Sequence, residues 1–138
     1  MKRFIFAFIA AYIFIFGWGW LLHGFVMKDV LAEAASLLRP RDEMNSLFHW
    51  ILLGQALIIL SFIAIYAIGF AGGGVCAGVR LGLMMELAAI GFRMAVYATQ
   101  PFPAKLLILS SISGLIEMSI VGAIVGAIYK PRATPAKA

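Results

Sequence analysis

Glu86, Arg93 and Glu117 stand inside long apolar runs, where an ionisable side chain needs a reason to be. Arg93 follows Glu86 by seven residues, and seven steps of about 100° return to nearly the same helical face. Their Cα atoms are then about 10 Å apart along the axis, a gap two long side chains can bridge directly or through water. Glu117 lies near the middle of the next run, at the depth of Glu86 if the two segments are antiparallel. Ser110, Ser111 and Ser113 then fall nearer the depth of Arg93. In hydrocarbon a charge at the helix centre costs about 2.5–3.5 kcal/mol on insertion scales. Such groups must point inward, pair, or hold a proton. Two carboxylates against one guanidinium leave an excess negative charge, so one proton shared by Glu86 and Glu117 is expected. Three uses fit: a polar clamp that fixes helix register, a proton or substrate site, or a contact with a partner subunit or cofactor.

A row of missing side chains leads to this cluster. Gly74, Gly78, Gly82 and Glu86 recur every four residues, and Gly114, Gly122 and Gly126 form a similar stripe on the following segment. Small residues let helices in a membrane approach closely, so helix packing is the first reading and a groove for a ligand or lipid tail the second. Gln55, Tyr97 and Gln100 bias polarity toward one end of the chain's apolar runs and are candidates to line a cavity there. Tyr97 lies one turn beyond Arg93. Gln55 serves equally as an interhelical hydrogen-bonding group.

His23 and His49 flank the first polar connection. With Met27, Met44 or Asp29 they offer a mixed ligand set for copper or zinc, although their spacing matches no ligand motif. Bonds to backbone or lipid headgroups are the simpler role. An axial haem ligand has to lie deep in a bundle, and neither histidine does. The single cysteine, Cys76, cannot close an internal disulfide, and no CxxC pair exists. It reads as a small buried residue. No GxSxG, P-loop or HExxH motif occurs, and no histidine shares the depth of the serines. The chain is therefore expected not to be an enzyme and to carry no cofactor.

The elements that hold these residues follow from composition. The 138-residue chain is 64% hydrophobic and 12% charged, against about 45–50% and 25% in ordinary soluble domains. A chain this short cannot bury so much apolar surface by folding on itself. Its net charge of +5 is scattered between apolar blocks, without the clustered basic face of a nucleic-acid binder. Four apolar segments, about residues 4–27, 47–70, 75–98 and 104–129, reach the roughly 20 residues that cross a bilayer. They are too long for strands and lack the alternation of a barrel. In lipid the backbone must satisfy its own hydrogen bonds, which leaves helices. The predicted fold is all-α, a four-transmembrane-helix bundle in one domain, with a polar tail over 130–138.

The first segment follows Lys2 and Arg3 like a signal peptide but exceeds the 7–15 residues, roughly, of an h-region. It is read as a retained helix, closed by an interfacial flank of Trp18, Gly19, Trp20 and His23. Residues 28–46 form the one sizeable polar connection. Within them Asp29, Val30, Leu31, Glu33, Ala34, Leu37 and Leu38 are spaced as a short amphipathic helix that Pro40 ends. Such a helix lies flat at the interface or caps the bundle. Gly72 to Gly74 make the next break, and Pro101 and Pro103 punctuate the last turn. Four spans place both termini on one side, with Lys2, Arg3, Arg80, Lys130, Arg132 and Lys137. The other side carries Lys28, Arg39, Arg41 and Lys105 beside four acids. The excess of Lys and Arg assigns the termini to the cytoplasm.

The stretches GWGWLLHGFVMKD, LRPRDEM and YATQPFP resemble segments of small four-helix bacterial inner-membrane proteins, a family of unassigned activity. The matching positions are Gly17, Trp20, His23, Gly24, Tyr97, Gln100, Pro101 and Pro103. The resemblance implies the same topology and a bacterial source, and brings no activity. Size, glycine faces and the absence of a soluble domain point to a non-catalytic accessory or scaffold bundle. Its partners would be membrane lipids, copies of itself or a larger membrane complex. Proton-linked or small-solute transport through Glu86, Arg93 and Glu117 in an oligomer is the alternative. An outward-facing metal or redox site at His23 and His49 is the third reading.

Overall fold

The computed structural model describes residues 2–129; the polar tail expected over 130–138 lies outside them. Helix α1 spans Lys2–Leu21 and widens into a π-helical turn over Leu22–Val26, where the Met27 N–H donates to the Leu22 carbonyl five residues back at 2.8 Å. Helix α4, Phe48–Ile65, ends in the same way over Tyr66–Phe70. Between them lie α2 (Lys28–Glu33), a 3-10 turn (Ala35–Leu37) and α3 (Arg41–Ser46). Helices α5 (Gly74–Thr99) and α6 (Ala104–Ile128) complete the chain. The described residues hold no strand, and the protein is an all-α, multi-pass membrane protein.

The four long units contain 25, 23, 26 and 25 residues, hence about 35–39 Å of helix against roughly 30 Å of hydrocarbon. Their outward faces are apolar. Phe6, Trp20, Trp50, Ile68, Leu87 and Phe92 are each more than three-fifths exposed. In water this surface would drive association; in lipid it is the matched solvent contact.

The breaks follow local chemistry. Gly72 takes a φ of +94° and Gly74 one of +65°, a region that disfavours any side chain. This allows a turn of a few residues between α4 and α5. Pro103 stands just before α6, and Pro101 removes another N–H donor from the connection. The polar connection differs from its predicted form. Helix α2 ends at Glu33, well before Pro40, and Pro40 instead immediately precedes a further helix, α3. Proline's fixed φ and missing N–H suit a helix start as well as a helix end, and the residue pattern alone does not choose. The amphipathic character is present: Val30 and Ala34, one turn apart, are buried with Met27, so this segment caps one end of the bundle.

Packing is uneven. Helices α5 and α6 form the most intimate pair, and α1 packs against both α4 and α6. The apolar core joins Ala7, Ala11 and Ile15 of α1 to Ile59, Phe62, Ile63 and Tyr66 of α4, and to Leu81, Met118, Val121 and Val125. These residues belong to the half of the bundle that holds Lys2, the α4–α5 turn and Tyr129. There the Tyr66 hydroxyl donates to the Gly74 carbonyl at 3.0 Å, and its ring meets that of Tyr129 edge-on at 5.7 Å. The polar residues begin where this core stops.

Candidate functional site

The α5–α6 contact is built from glycine. A Cβ placed on Gly78 would lie 2.8 Å from the Gly122 carbonyl carbon. One on Gly82 would lie 2.8 Å from that of Met118, and one on Gly126 the same distance from that of Gly74. No side chain fits at these separations. Gly74 faces Gly126, Gly78 faces Gly122, and Gly82 faces Met118, each step moving four residues up α5 and four down α6. The next step sets Glu86 against Gly114. A Cβ on Gly114 would overlap the Glu86 carboxyl, with even the more distant oxygen at 2.8 Å. The glycine ridge on α5 thus ends in a carboxylate, and α6 supplies the missing side chain beneath it.

Glu86 is 3% exposed. Arg93 caps it from the same face of α5, donating from a terminal guanidinium nitrogen to Oε1 of Glu86. Long side chains on a helix lean back toward its N-terminus, which carries the guanidinium down to the carboxylate. Glu117 is partly buried on α6 and lies within electrostatic reach of both Glu86 and Arg93. It forms no salt bridge among the described residues. The three charges expected to gather do gather, as one ion pair and one neighbouring carboxyl group.

The polar layer continues across the bundle. The Trp18 indole N–H donates to Ser113 Oγ at 2.9 Å, and Ser113, only 5% exposed, directly precedes Gly114. Trp18 therefore points into the helix interface and is no part of an interfacial flank; Trp20, 67% exposed, keeps that position. The signal for this was a tryptophan eight residues before the end of the first span, opposite a serine-rich helix. Gln55 of α4 comes next, with its amide nitrogen 4.0 Å from a Cβ built on Gly19. Its Oε1 is fully buried without a partner, as is Ser111 Oγ. All four long helices contribute polar groups, near mid-span on α5 and α6 and nearer the end away from Lys2 on α1 and α4.

On the far side of Arg93 from the core, α5 and α6 separate around a cavity of about 220 Å³. Arg93, Tyr97 and Ser110 line it together with Phe92, Phe102 and Leu107. Of the three residues expected to line a cavity, Tyr97 lines this one and Gln55 and Gln100 do not. Gln55 packs toward α1 at Gly19, and Gln100 is an exposed, extended residue that ends α5, its N–H bonded to the Val96 carbonyl at 2.9 Å. The cavity walls are mainly hydrocarbon.

The remaining candidates lie apart. His23 is exposed and its Nδ1 is 2.9 Å from the Gly19 carbonyl; His49 lies beside the Trp50 ring. Among the described residues no three of His, Cys, Asp and Glu stand close enough to hold a metal ion. Cys76 is exposed, contrary to its expected burial. Gly74 and Gly78 take the contact face, and a residue two positions from each points away from it.

No family model, curated protein or solved structure matches the chain. Function has to be argued from this polar layer and from the apolar faces around it.

Proposed function

We propose that the protein is a non-catalytic accessory or scaffold subunit of the bacterial inner membrane. It works by packing against lipids and against other membrane proteins or copies of itself. The observation that carries this reading is the seating of Glu86 on Gly114 beneath Arg93. A buried carboxylate holds two helices in register, while the outward surface is left apolar and bulky. Removing one partner of a buried ion pair costs about 3–5 kcal/mol in general, so Arg93 fixes the Glu86 carboxylate on α5, and the seat of that carboxylate on Gly114 sets the register against α6. The uneven distribution of Lys and Arg supports cytoplasmic termini, with residues 28–46 facing outward.

Native mass spectrometry of gently extracted protein tests this. A dimer, or a stoichiometric complex with another membrane subunit, is the expected result. A strictly monomeric chain that carries no partner would reject the scaffold role.

One observation favours a second reading, proton-linked transport in an oligomer. Glu117 lies within electrostatic reach of the ion pair but forms no salt bridge among the described residues, which is the arrangement of a carboxyl group free to exchange a proton. Replacing Glu117 by Gln separates the two. Loss of flux or pH response in a normally folded and assembled protein supports transport; loss of assembly alone supports the clamp.

A further inference from the structure

Arg80 is a charge on the outward side of α5. It lies two residues after Gly78 and two before Gly82, about 200° of helix from each. Those glycines face α6, the main neighbour of α5, so Arg80 points away from it. Cys76, Leu83 and Leu87 share the outward ridge, and all four residues are exposed. Among the described residues Arg80 forms no ion pair.

Depth sets what the guanidinium meets. A helix of about 39 Å overhangs roughly 30 Å of hydrocarbon by about 4–5 Å at each end. Arg80 lies six residues after Gly74, the first residue of α5, about 9 Å along the axis. Its Cα is therefore about 4–5 Å inside the hydrocarbon. Long side chains on a helix lean toward its N-terminus, here toward the nearer membrane surface. An arginine in this position lays its stem in the apolar layer and returns its head to the interface. The guanidinium thus arrives at the lipid phosphates from the hydrocarbon side.

Charge selects among those phosphates. Asp29, Glu33, Asp42 and Glu43 belong to the polar connection at the other end of the bundle, and Glu86 and Glu117 lie near mid-span. These are all the acidic side chains of the sequence, so the surface near Arg80 has none. It does carry Lys2 and Arg3. The five N–H donors of the guanidinium need an acceptor from outside the chain, and their planar fork matches two oxygens of one phosphate. A zwitterionic headgroup brings an ammonium that no carboxylate at this surface can receive. An anionic phospholipid brings the phosphate charge without one. Leu83 and Leu87, one and two turns deeper on the same ridge, offer apolar surface to its acyl chains, a contact that free phosphate cannot make.

We propose that Arg80 and the ridge beneath it bind an anionic phospholipid of the leaflet on the Lys2 side, the guanidinium holding two phosphate oxygens and an acyl chain lying along Leu83 and Leu87. The proposal deepens the reading that the protein packs against lipids, and rests on it. A chain that assembles with a partner but shows no lipid preference fails this inference alone; a strictly monomeric chain with the preference fails the scaffold role alone.

The test uses full-length protein in dodecyl maltoside, given an equimolar mixture of phosphatidylglycerol and phosphatidylcholine with matched acyl chains. Native mass spectrometry counts the lipids retained. The expected result is a preference for phosphatidylglycerol of about fivefold, the size that one basic residue at an anionic surface gives. Arg80→Gln should lower the preference below about twofold and leave the folded yield unchanged, since the side chain faces away from α6. Arg80→Lys keeps the charge and loses the planar fork; it should lower the preference about twofold and serves if Arg80→Gln fails to fold. Lys2→Gln/Arg3→Gln removes charge from the same surface and should leave the preference as in the parent. Equal retention of the two lipids by the parent chain, a preference unchanged by the Arg80 variants, or a loss as large from Lys2→Gln/Arg3→Gln overturns the proposal. Inorganic phosphate at the concentration of the lipids should leave the preference intact, and its abolition by phosphate overturns the lipid as the source of the anion.

Discussion

The Glu86 carboxyl lies against Gly114 so closely that the smallest side chain at Gly114 would overlap it. The contact joins the last position of the α5 ridge to a gap on α6, and Arg93 closes it from above. The overlapping atoms are the end of the Glu86 side chain, which burial and the bond from Arg93 hold in place. Gly114→Ala is therefore expected to destabilise the protein by about 1–3 kcal/mol, the usual range for overpacking. The variant Glu86→Ala/Gly114→Ala should recover part of the loss that the single changes predict when added. Thermal unfolding in mild detergent, arranged as a double-mutant cycle, reads this. Simple additivity would show that Gly114 does not seat the carboxylate.

The ion pair makes its own prediction. With Glu86 almost fully buried, Arg93→Ala leaves a carboxylate without its donor and should cost about 3–5 kcal/mol. Replacing both residues by leucine removes the charges together and should cost much less than Arg93→Ala alone. Melting temperatures and the yield of folded protein check the order. If the double replacement is the worst variant, the pair has a role beyond holding helices.

Much of the architecture was legible because the bilayer simplifies the problem. Span ends at Phe48, Thr99 and Ala104 lie within one residue of those that apolar length and the Gly and Pro breaks give. The Glu86–Arg93 pairing follows from helical geometry, since both residues lie on one helix seven positions apart. What depends on partner helices was not legible. Trp18 looked interfacial because tryptophan commonly is, and only the arrival of Ser113 from α6 turns it inward. Gln55, Gln100 and Tyr97 share a depth, but depth gives no azimuth: Tyr97 borders the cavity beside Arg93, while the Gln55 amide lies near Gly19 of α1. The π-helical turns at Leu22–Val26 and Tyr66–Phe70 carry no residue signal that separates them from ordinary helix.

Trp18 supplies a third prediction. Its bond to Ser113 ties α1 to the α6 helix in which the clamp sits. Interhelical hydrogen bonds in membranes average about 0.6 kcal/mol, and an orphaned buried hydroxyl adds to the loss. Trp18→Phe should therefore cost about 0.5–2 kcal/mol, and Ser113→Ala should cost nothing further in that background. Equal losses from Ser113→Ala in both backgrounds would mean that the indole donates elsewhere.

Cys76 tests the orientation. It is the one cysteine in the chain, exposed, and two residues after Gly74, the first residue of α5. The overhang of about 4–5 Å at each end of α5 corresponds to roughly three residues, so the thiol sits at the membrane surface rather than in hydrocarbon. If Lys and Arg set the topology as proposed, that surface is cytoplasmic. A charged, membrane-impermeant maleimide should label Cys76 in inside-out vesicles and leave it unlabelled in right-side-out vesicles until the membrane is permeabilised. A small permeant maleimide should label it in both, which establishes that the thiol is reactive. Labelling by the charged reagent from the right-side-out face alone would place the α4–α5 turn outside the cell. The opposite assignment of residues 28–46 and of both termini would then follow.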